Sequence, residues 1–303
     1  LDSTDPEQVT AVEKMAPVES TVYIVASKSG TTGEINAFLD YFWQKVTDIN
    51  PEDPGAQFIA ITDPETKLAK IGEERKFSHV FLADPQVGGR NSALTAFGMV
   101  PAALMGVDLD KFTTKAINMA EWCKSTNIEA NPGIVLGAIL GTAALSGRDK
   151  VTLITGRQWA SFGDWLEQLV AESSGKDGKG MLPVANEPVL PPDKFSDDRI
   201  FIRLEQNEEK QDIVNALVSR GHPVISIHVA DAYDLAAQFY LWEIAVATAC
   251  AVIGVNSFDQ PDVQDAKLRT LAGMDEYRKN GKFADVGVSA EYPRVKVLTD
   301  LPP

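Results

Sequence analysis

The chain has 303 residues, of which 44% are apolar, and its formal net charge is −15. That length is sufficient for two domains, or one large one, with a sizeable hydrophobic core. The acidic balance argues against a nucleic-acid-binding groove, which needs a basic stripe, and the only two cysteines, Cys123 and Cys250, fit a reducing compartment without a disulfide framework.

Strand-like and helix-like segments alternate along the first half of the chain. The apolar, β-branched run at 22–26 is typical of a buried parallel strand, and apolar residues at helical spacing follow from Glu34 to Val46. Strands are also predicted at 57–62 and 79–84, and helices at 91–106 (broken at Pro101), 110–125 and 133–146.

A second alternating series begins at residue 150. It comprises strands at 150–156, 199–204 and 223–229, helices at 162–174, 208–220, 233–255 and 259–279, and a loop at 175–192. The apolar helix at 233–255 is long enough to span a membrane, but Gln238 and Glu243 favour a buried core helix. The alternation predicts an α/β protein whose parallel sheets are flanked by helices. We expect two such units, 1–108 and 109–303.

The stretch SKSGTTGE, residues 27–34, lies between the first predicted strand and its helix. Ligands of parallel α/β units bind at the carboxyl ends of strands, where a helix N-terminus attracts anions. Hydroxyl side chains and a glycine that permits close backbone approach make this stretch a candidate phosphate site. The alternative is a serine-rich turn that only caps the helix.

Three further stretches carry candidate chemistry. GGRNS, 88–92, follows a predicted strand and projects Arg90 towards the same edge, where a guanidinium could stabilise an anionic oxygen. Glu172 lies near the end of a helix, beside a glycine-rich loop, and is a candidate general base, although an ordinary solvent-exposed helix glutamate is the more common case. In FDQPDVQDAK, 258–267, Asp259 resembles a helix N-cap, and Gln260 and Lys267 could face the cleft.

Histidines are few, and none has the spacing of a zinc site. His228 lies in an apolar strand and is predicted to be a core residue. His222 lies at the entry of a strand, away from the expected edge of the sheet.

Taken together, the four stretches resemble the phosphoglucose isomerase family, whose patterns SK(T/S)xTTxE, GGRxS, ESxGK and FDQxxVxxxK occur here in the same order. The resemblance covers residues 17–270 and is strongest to the isomerase part of bacterial transaldolase fusions. It implies two sugar isomerase (SIS) subdomains, the first lacking its N-terminal part and a GGSS phosphate loop. We therefore expect this chain to be a segment of a longer polypeptide.

The resemblance also implies a role for each matching residue. Glu172 corresponds to the base that moves a proton between C1 and C2, and Arg90 to the group that stabilises the enediolate oxygen. Lys267 corresponds to a catalytic residue near the ring-opening site, for which His222 is a weaker candidate. The residues expected to bind the substrate and its phosphate are Ser27, Lys28, Ser29, Thr31, Thr32, Glu34, Gly89 and Gln260.

The function expected from this resemblance is the interconversion of glucose 6-phosphate and fructose 6-phosphate in the cytoplasm, by a homodimer that needs no metal or other cofactor and binds neither nucleic acid nor membrane. Two alternatives stay open: a non-catalytic SIS module that binds a sugar phosphate, and an isomerase that also accepts mannose 6-phosphate. The presence of Glu172, Arg90 and Lys267 together argues against the non-catalytic module, because a protein that only binds a sugar phosphate needs no base.

Overall fold

The computed structural model describes residues 1, 3–188, 190–206, 210–283 and 288–298. The helices are α1 Pro6–Met15, α2 Gly33–Ile49, α3 Lys67–Glu74, α4 Ala96–Leu104, α5 Leu109–Cys123, α6 Pro132–Leu145, α7 Ala160–Ser174, α8 Gln211–Ser219, α9 Asp234–Ile253 and α10 Pro261–Asn280. The strands are β1 Tyr23–Ala26, β2 Phe58–Thr62, β3 His79–Leu82, β4 Lys150–Ile154, β5 Leu182–Val184, β6 Arg199–Glu205, β7 Val224–His228, β8 Val288–Tyr292 and β9 Val295–Leu298.

The first sheet has the order β1-β2-β3, and both pairings are parallel. Every residue of the central strand β2 is buried, as expected for a strand covered on both faces. The predicted stripe of α2 packs on this sheet through Leu39, Phe42 and Val46. The prediction of a parallel sheet flanked by helices is confirmed here.

The second sheet has the order β5-β4-β6-β7, and all of its pairings are parallel. Its core contains Leu166 of α7, Ile202 of β6 and Trp242 of α9, which are each fully buried. The chain leaves β4 to form β5 on one side, and it later returns to form β6 on the other side. This reversal of direction places a crevice at the carboxyl ends of β4 and β6.

Helix α9 is long and apolar enough to cross a membrane by length and composition, but 56% of its apolar window is buried inside the protein. It packs against α5, α6 and α7, and a side chain at Gly137 of α6 would collide with the carbonyl oxygen of Ala245. Such close packing is expected of a buried core helix, in agreement with the sequence prediction. Burial raises the pKa of Glu243, also in α9, to about 8.

Several local predictions were wrong. Helix α1 had not been predicted; Asp5 caps it by accepting from two backbone N–H groups, and Pro6 occupies its first position. Helix α4 begins at Ala96 rather than near 91 and continues through Pro101, whose missing N–H removes only one bond of the helix. Helix α3 and strand β5 had not been predicted, and the predicted start of a helix at 208 lies outside the described residues.

The chain divides into two compact units, 1–258 and 259–303. The first contains both parallel sheets. The second contains α10 and the antiparallel pair β8-β9. A subdomain boundary near residue 108 stays a prediction.

Candidate active site

The loop between β1 and α2 carries four hydroxyl side chains in two hydrogen-bonded pairs. Ser27 Oγ lies 3.0 Å from Thr32 Oγ1, and Ser29 Oγ lies 2.8 Å from Thr31 Oγ1. Thr32 is the N-cap residue of α2, yet no described side chain accepts a hydrogen bond from the first turn of this helix. The hydroxyls are therefore not used for capping, and the positive end of α2 can attract an anion. This geometry favours the phosphate site over the capped turn.

Gly30 lets the loop between β1 and α2 run close to the start of α3. Its φ of +65° lies in the left-handed region, and an added Cβ would come within 2.8 Å of the backbone nitrogen of Leu68. Only glycine adopts this conformation in this space without strain. Glu34, in the first turn of α2, is exposed.

Lys28 ties together the carboxyl ends of all three strands of the first sheet. Its Nζ forms an ion pair with Asp63, which follows β2, and donates to the carbonyl oxygen of Pro85, which follows β3, at 3.0 Å. The ammonium group therefore has a bridging role that the sequence prediction did not include. Its predicted contact with substrate stays a prediction.

Arg90 lies in a short 3₁₀ turn, 89–91, after β3, next to the exposed Gly89. Only 2% of its side chain is exposed. Nε donates to Ser173 Oγ at 2.9 Å, and Nη2 donates to the carbonyl oxygen of Ser257 at 2.6 Å. A guanidinium held by several acceptors is fixed in position before any ligand arrives.

Glu172 occupies the last turn of α7 and is half-buried, with 20% of its side chain exposed. Its Oε1 accepts from Arg90 Nη1 at 3.1 Å, and its Oε2 accepts from Gln168 Nε2 at 3.2 Å. Two residues predicted separately, 82 positions apart, therefore meet in the folded chain. A carboxylate beside a fixed cation is the arrangement needed to remove a proton next to a carbonyl group.

The histidines lie elsewhere. The ring of His222 is buried and packs edge-on against Phe201 at 5.3 Å, and its Nδ1 has no hydrogen-bond partner among the described residues. No described contact joins it to Arg90 or Glu172, so its ring-opening role stays a prediction. The expectation that His228 is a core residue was wrong, because this side chain is exposed at the end of β7.

Gln260 and Lys267 belong to the second unit. Gln260, and not Asp259, is the N-cap residue of α10, with Pro261 at the first position of the helix. Gln260 and Lys267 are both exposed, and their participation in the site stays a prediction.

Sequence reasoning missed the residues that hold Arg90 and Glu172 in place. Ser173 bonds Arg90, and its carbonyl oxygen accepts from Cys250 Sγ at 3.4 Å. Cys250 is fully buried, and this burial raises the pKa of its thiol. Lys176 is buried and donates to the carbonyl oxygen of Asn256. Ser173 and Lys176 both lie in the stretch ESSGK, and this stretch was the sequence signal from which their supporting roles could have been predicted.

The fold and the site define the class of this protein: an α/β protein with two parallel sheets, a hydroxyl loop at the edge of one sheet and a buried arginine paired with a carboxylate. The sequence model of one family, phosphoglucose isomerase, matches residues 1–181. The chain belongs to the phosphoglucose isomerase family.

Individual relatives agree with this assignment. The chain is 28% identical over 309 residues to the glucose-6-phosphate isomerase of Enterococcus faecalis, covering 84% of this chain and 68% of that protein. A hypothetical protein from Thermus thermophilus has the same fold, with a TM-score of 0.77 and 22% identity over 90% of this chain and 76% of its own. The glucose-6-phosphate isomerase of Chlamydia trachomatis has a TM-score of 0.71 and 18% identity, covering 91% of this chain and 63% of that one.

Proposed function

We propose that this protein is an aldose–ketose isomerase that interconverts glucose 6-phosphate and fructose 6-phosphate. The observation that carries the proposal is the pairing of Arg90 with Glu172 at 3.1 Å in a member of the phosphoglucose isomerase family.

The two side chains account for the proton transfer. Glu172 takes the proton from C2 of the open-chain aldose, and the electrons of that C–H bond form the C1=C2 double bond of an enediolate. The guanidinium of Arg90 stabilises the negative oxygen that develops. A proton moves from O2 to O1, Glu172 returns its proton to C1, and the C2–O2 bond becomes the carbonyl of the ketose. No atom is gained or lost in the sequence.

Substrate binding and ring opening involve other groups. The Ser27–Thr32 loop and the N-terminal end of α2 bind the phosphate, and Glu34, Gly89 and Gln260 line the sugar. Lys28 holds the edge of the sheet in the shape that this requires. Lys267 and, less directly, His222 are the candidates for opening the sugar ring.

A non-catalytic SIS module fits the site less well. A phosphate sensor needs the hydroxyl loop but gains nothing from a carboxylate held by Arg90 and Gln168. Acceptance of mannose 6-phosphate depends on one hydroxyl contact at C2, and this alternative is tested by replacing the substrate in the assay below.

The decisive experiment measures turnover of fructose 6-phosphate by the full-length protein, coupled to oxidation of the glucose 6-phosphate formed. Glu172→Gln is expected to lower kcat by about 10³-fold or more, because the amide cannot accept the proton. Glu167→Gln, which changes an exposed glutamate of the same helix, is the matched control. Turnover of Glu172→Gln at the control's rate would exclude the proposed base.

A second readout separates proton transfer from binding. In deuterated water, the wild-type protein should introduce deuterium at C2 of the glucose 6-phosphate it forms. Glu172→Gln should bind the substrate but introduce none. Incorporation at the wild-type rate would contradict the assignment of Glu172.

The assembly and cellular context are also part of the proposal. We place the enzyme in the cytoplasm, acting in glycolysis and gluconeogenesis, as a homodimer and as the isomerase part of a transaldolase fusion with subdomains 1–108 and 109–303. Large apolar side chains exposed on α5, α6 and the turn between them, Ile117, Trp122, Ile128, Ile139 and Leu145, support a subunit interface. Light scattering of Trp122→Glu should give monomers where the wild-type protein gives dimers.

A further inference from the structure

A cavity of about 180 Å³ lies at the carboxyl edge of the second sheet. Residues 154–157, at the end of β4, form one wall. The position is the switch point between β4 and β6, where α/β sheets bind ligands. None of the residues predicted for the isomerase site lines it.

The floor of this cavity is apolar. Phe201 and Leu217 are fully buried, and the ring of Phe195 meets that of Phe201 edge-on at 5.1 Å. Ile213 completes the surface. Cavities of about 150 Å³ with such linings hold a single benzene ring, so the floor fits a compact apolar body of that size.

The rim carries positive charge in a protein whose net charge is −15. Arg157 is exposed, and its side chain has no hydrogen bond or ion pair with any described residue. Lys210 donates to the carbonyl oxygen of Thr155 at 2.6 Å and likewise has no carboxylate partner in the described part of the chain. Glu187, the acidic residue among the described residues of the lining, is neutralised by Arg199 at 2.7 Å. The rim therefore offers two cations to an anionic group.

The backbone around the cavity is held in an unfavourable conformation. Asn186 and Lys210 both line it and both have left-handed φ values, of 55° and 62°. Such values are costly for lysine and less so for asparagine, and they concentrate at functional sites. Asn186 is fixed by donating from Nδ2 to Asp164 Oδ1 at 2.7 Å, so the wall is preformed.

The cavity is separate from the proposed active site. Ala160, at the start of α7, lines the cavity, whereas Glu172 lies in the last turn of the same helix. At about 1.5 Å per residue, the two are roughly 18 Å apart along the helix axis.

We propose that this cavity is a second binding site, for a small organic anion that places an aromatic or similarly compact apolar body on the phenylalanine floor and a phosphate or carboxylate between Arg157 and Lys210. Both parts of the ligand contribute to binding, because the floor is formed mainly by apolar side chains and the two cations lie at the rim. The proposal does not depend on the isomerase activity.

The test is calorimetric titration of the full-length protein with phenyl phosphate, in the presence and absence of fructose 6-phosphate. We expect saturable binding of one molecule per chain, about tenfold tighter than that of inorganic phosphate or phenol. Excess fructose 6-phosphate should not displace it. Displacement would mean that the probe occupies the isomerase site, and the proposal would be wrong.

Two variants locate the probe. Arg157→Gln should weaken binding about tenfold by removing a charge-assisted hydrogen bond, whereas Arg220→Gln, at an exposed arginine outside the cavity, should not change it. Ala160→Leu should block binding by filling the cavity, with its folding checked by thermal denaturation. Equal affinities for the wild-type protein and Arg157→Gln, or equal affinities for phenyl phosphate and inorganic phosphate, would overturn the proposal.

Discussion

Replacement of Arg90 by lysine tests whether the guanidinium acts in the transition state. Arginine presents three nitrogens, and Nε, Nη1 and Nη2 contact Ser173, Glu172 and the carbonyl oxygen of Ser257 at 2.9, 3.1 and 2.6 Å. A lysine ammonium is a single nitrogen on a flexible chain and can satisfy only part of this set. The charge is kept, but its fixed direction is lost.

The expected cost is calculated from these contacts. Removal of one preorganised donor from a developing oxyanion typically costs about 3–4 kcal/mol, which is roughly 10²–10³ in kcat. The Michaelis constant should change by less than about tenfold, because the interaction strengthens only as the enediolate forms. Loss of the buried contacts should also lower the free energy of unfolding by about 2–3 kcal/mol. This is below the usual range for a broken buried pair, since Glu172 keeps 20% of its side chain in water.

The measurement is steady-state kinetics of Arg90→Lys in the coupled assay, with urea denaturation to show that the variant is folded under assay conditions. Arg75→Lys is the control, because Arg75 also pairs with a carboxylate, that of Asp40, at 3.7 Å, but has no proposed role in the reaction. A folded Arg90→Lys variant with an unchanged kcat and a raised Michaelis constant would refute the transition-state role and leave Arg90 only in ground-state binding.

Two further predictions concern stability. Gly30→Ala should destabilise the protein by about 1–3 kcal/mol in urea denaturation, because the left-handed φ and the contact with Leu68 both oppose a side chain, whereas Gly33→Ala, with open space around its Cβ, should have little effect. Glu243, whose pKa is raised to about 8, binds its proton more tightly in the folded than in the unfolded chain, so stability should fall as pH rises from about 4.5 to 8, by about 3 kcal/mol at pH 7. Glu243→Gln should remove this slope, and an unchanged slope, equal to that of Glu167→Gln, would contradict the assignment.

The parallel sheets were predictable because their signal is local. The β-branched run before Ser27 and the helical stripe after it identify a strand and a helix, and alternation of such segments is sufficient to predict parallel pairing. Arg90 was proposed from its place after a strand, whereas the role of Glu172 was implied by the family resemblance, because a helix end alone does not distinguish a base from a surface glutamate. Their contact was not predictable, because it joins positions 82 residues apart, and local spacing carries no information about such a pair.

Most of the incorrect or missing predictions likewise depend on contacts between distant parts of the chain. The bridge from Lys28 to Asp63 and Pro85 depends on the order of three strands, which the sequence does not specify. His228 lies in an apolar run, but the burial of a strand residue depends on which face is covered and where the strand ends. Helix α1 was within reach of local reasoning, since Asp5 and Pro6 form a helix start.

The two sheets use opposite edges for the proposed chemistry. The first contributes its carboxyl edge, through the loop after β1 and Arg90 after β3. The second contributes Glu172, and because α7 connects parallel strands it runs antiparallel to them, which places its last turn at the amino edge. The carboxyl edge of the second sheet is thus left for the cavity beside Arg157. If this division holds, Arg157→Gln should lower phenyl phosphate binding without changing kcat, and Arg90→Lys should do the reverse.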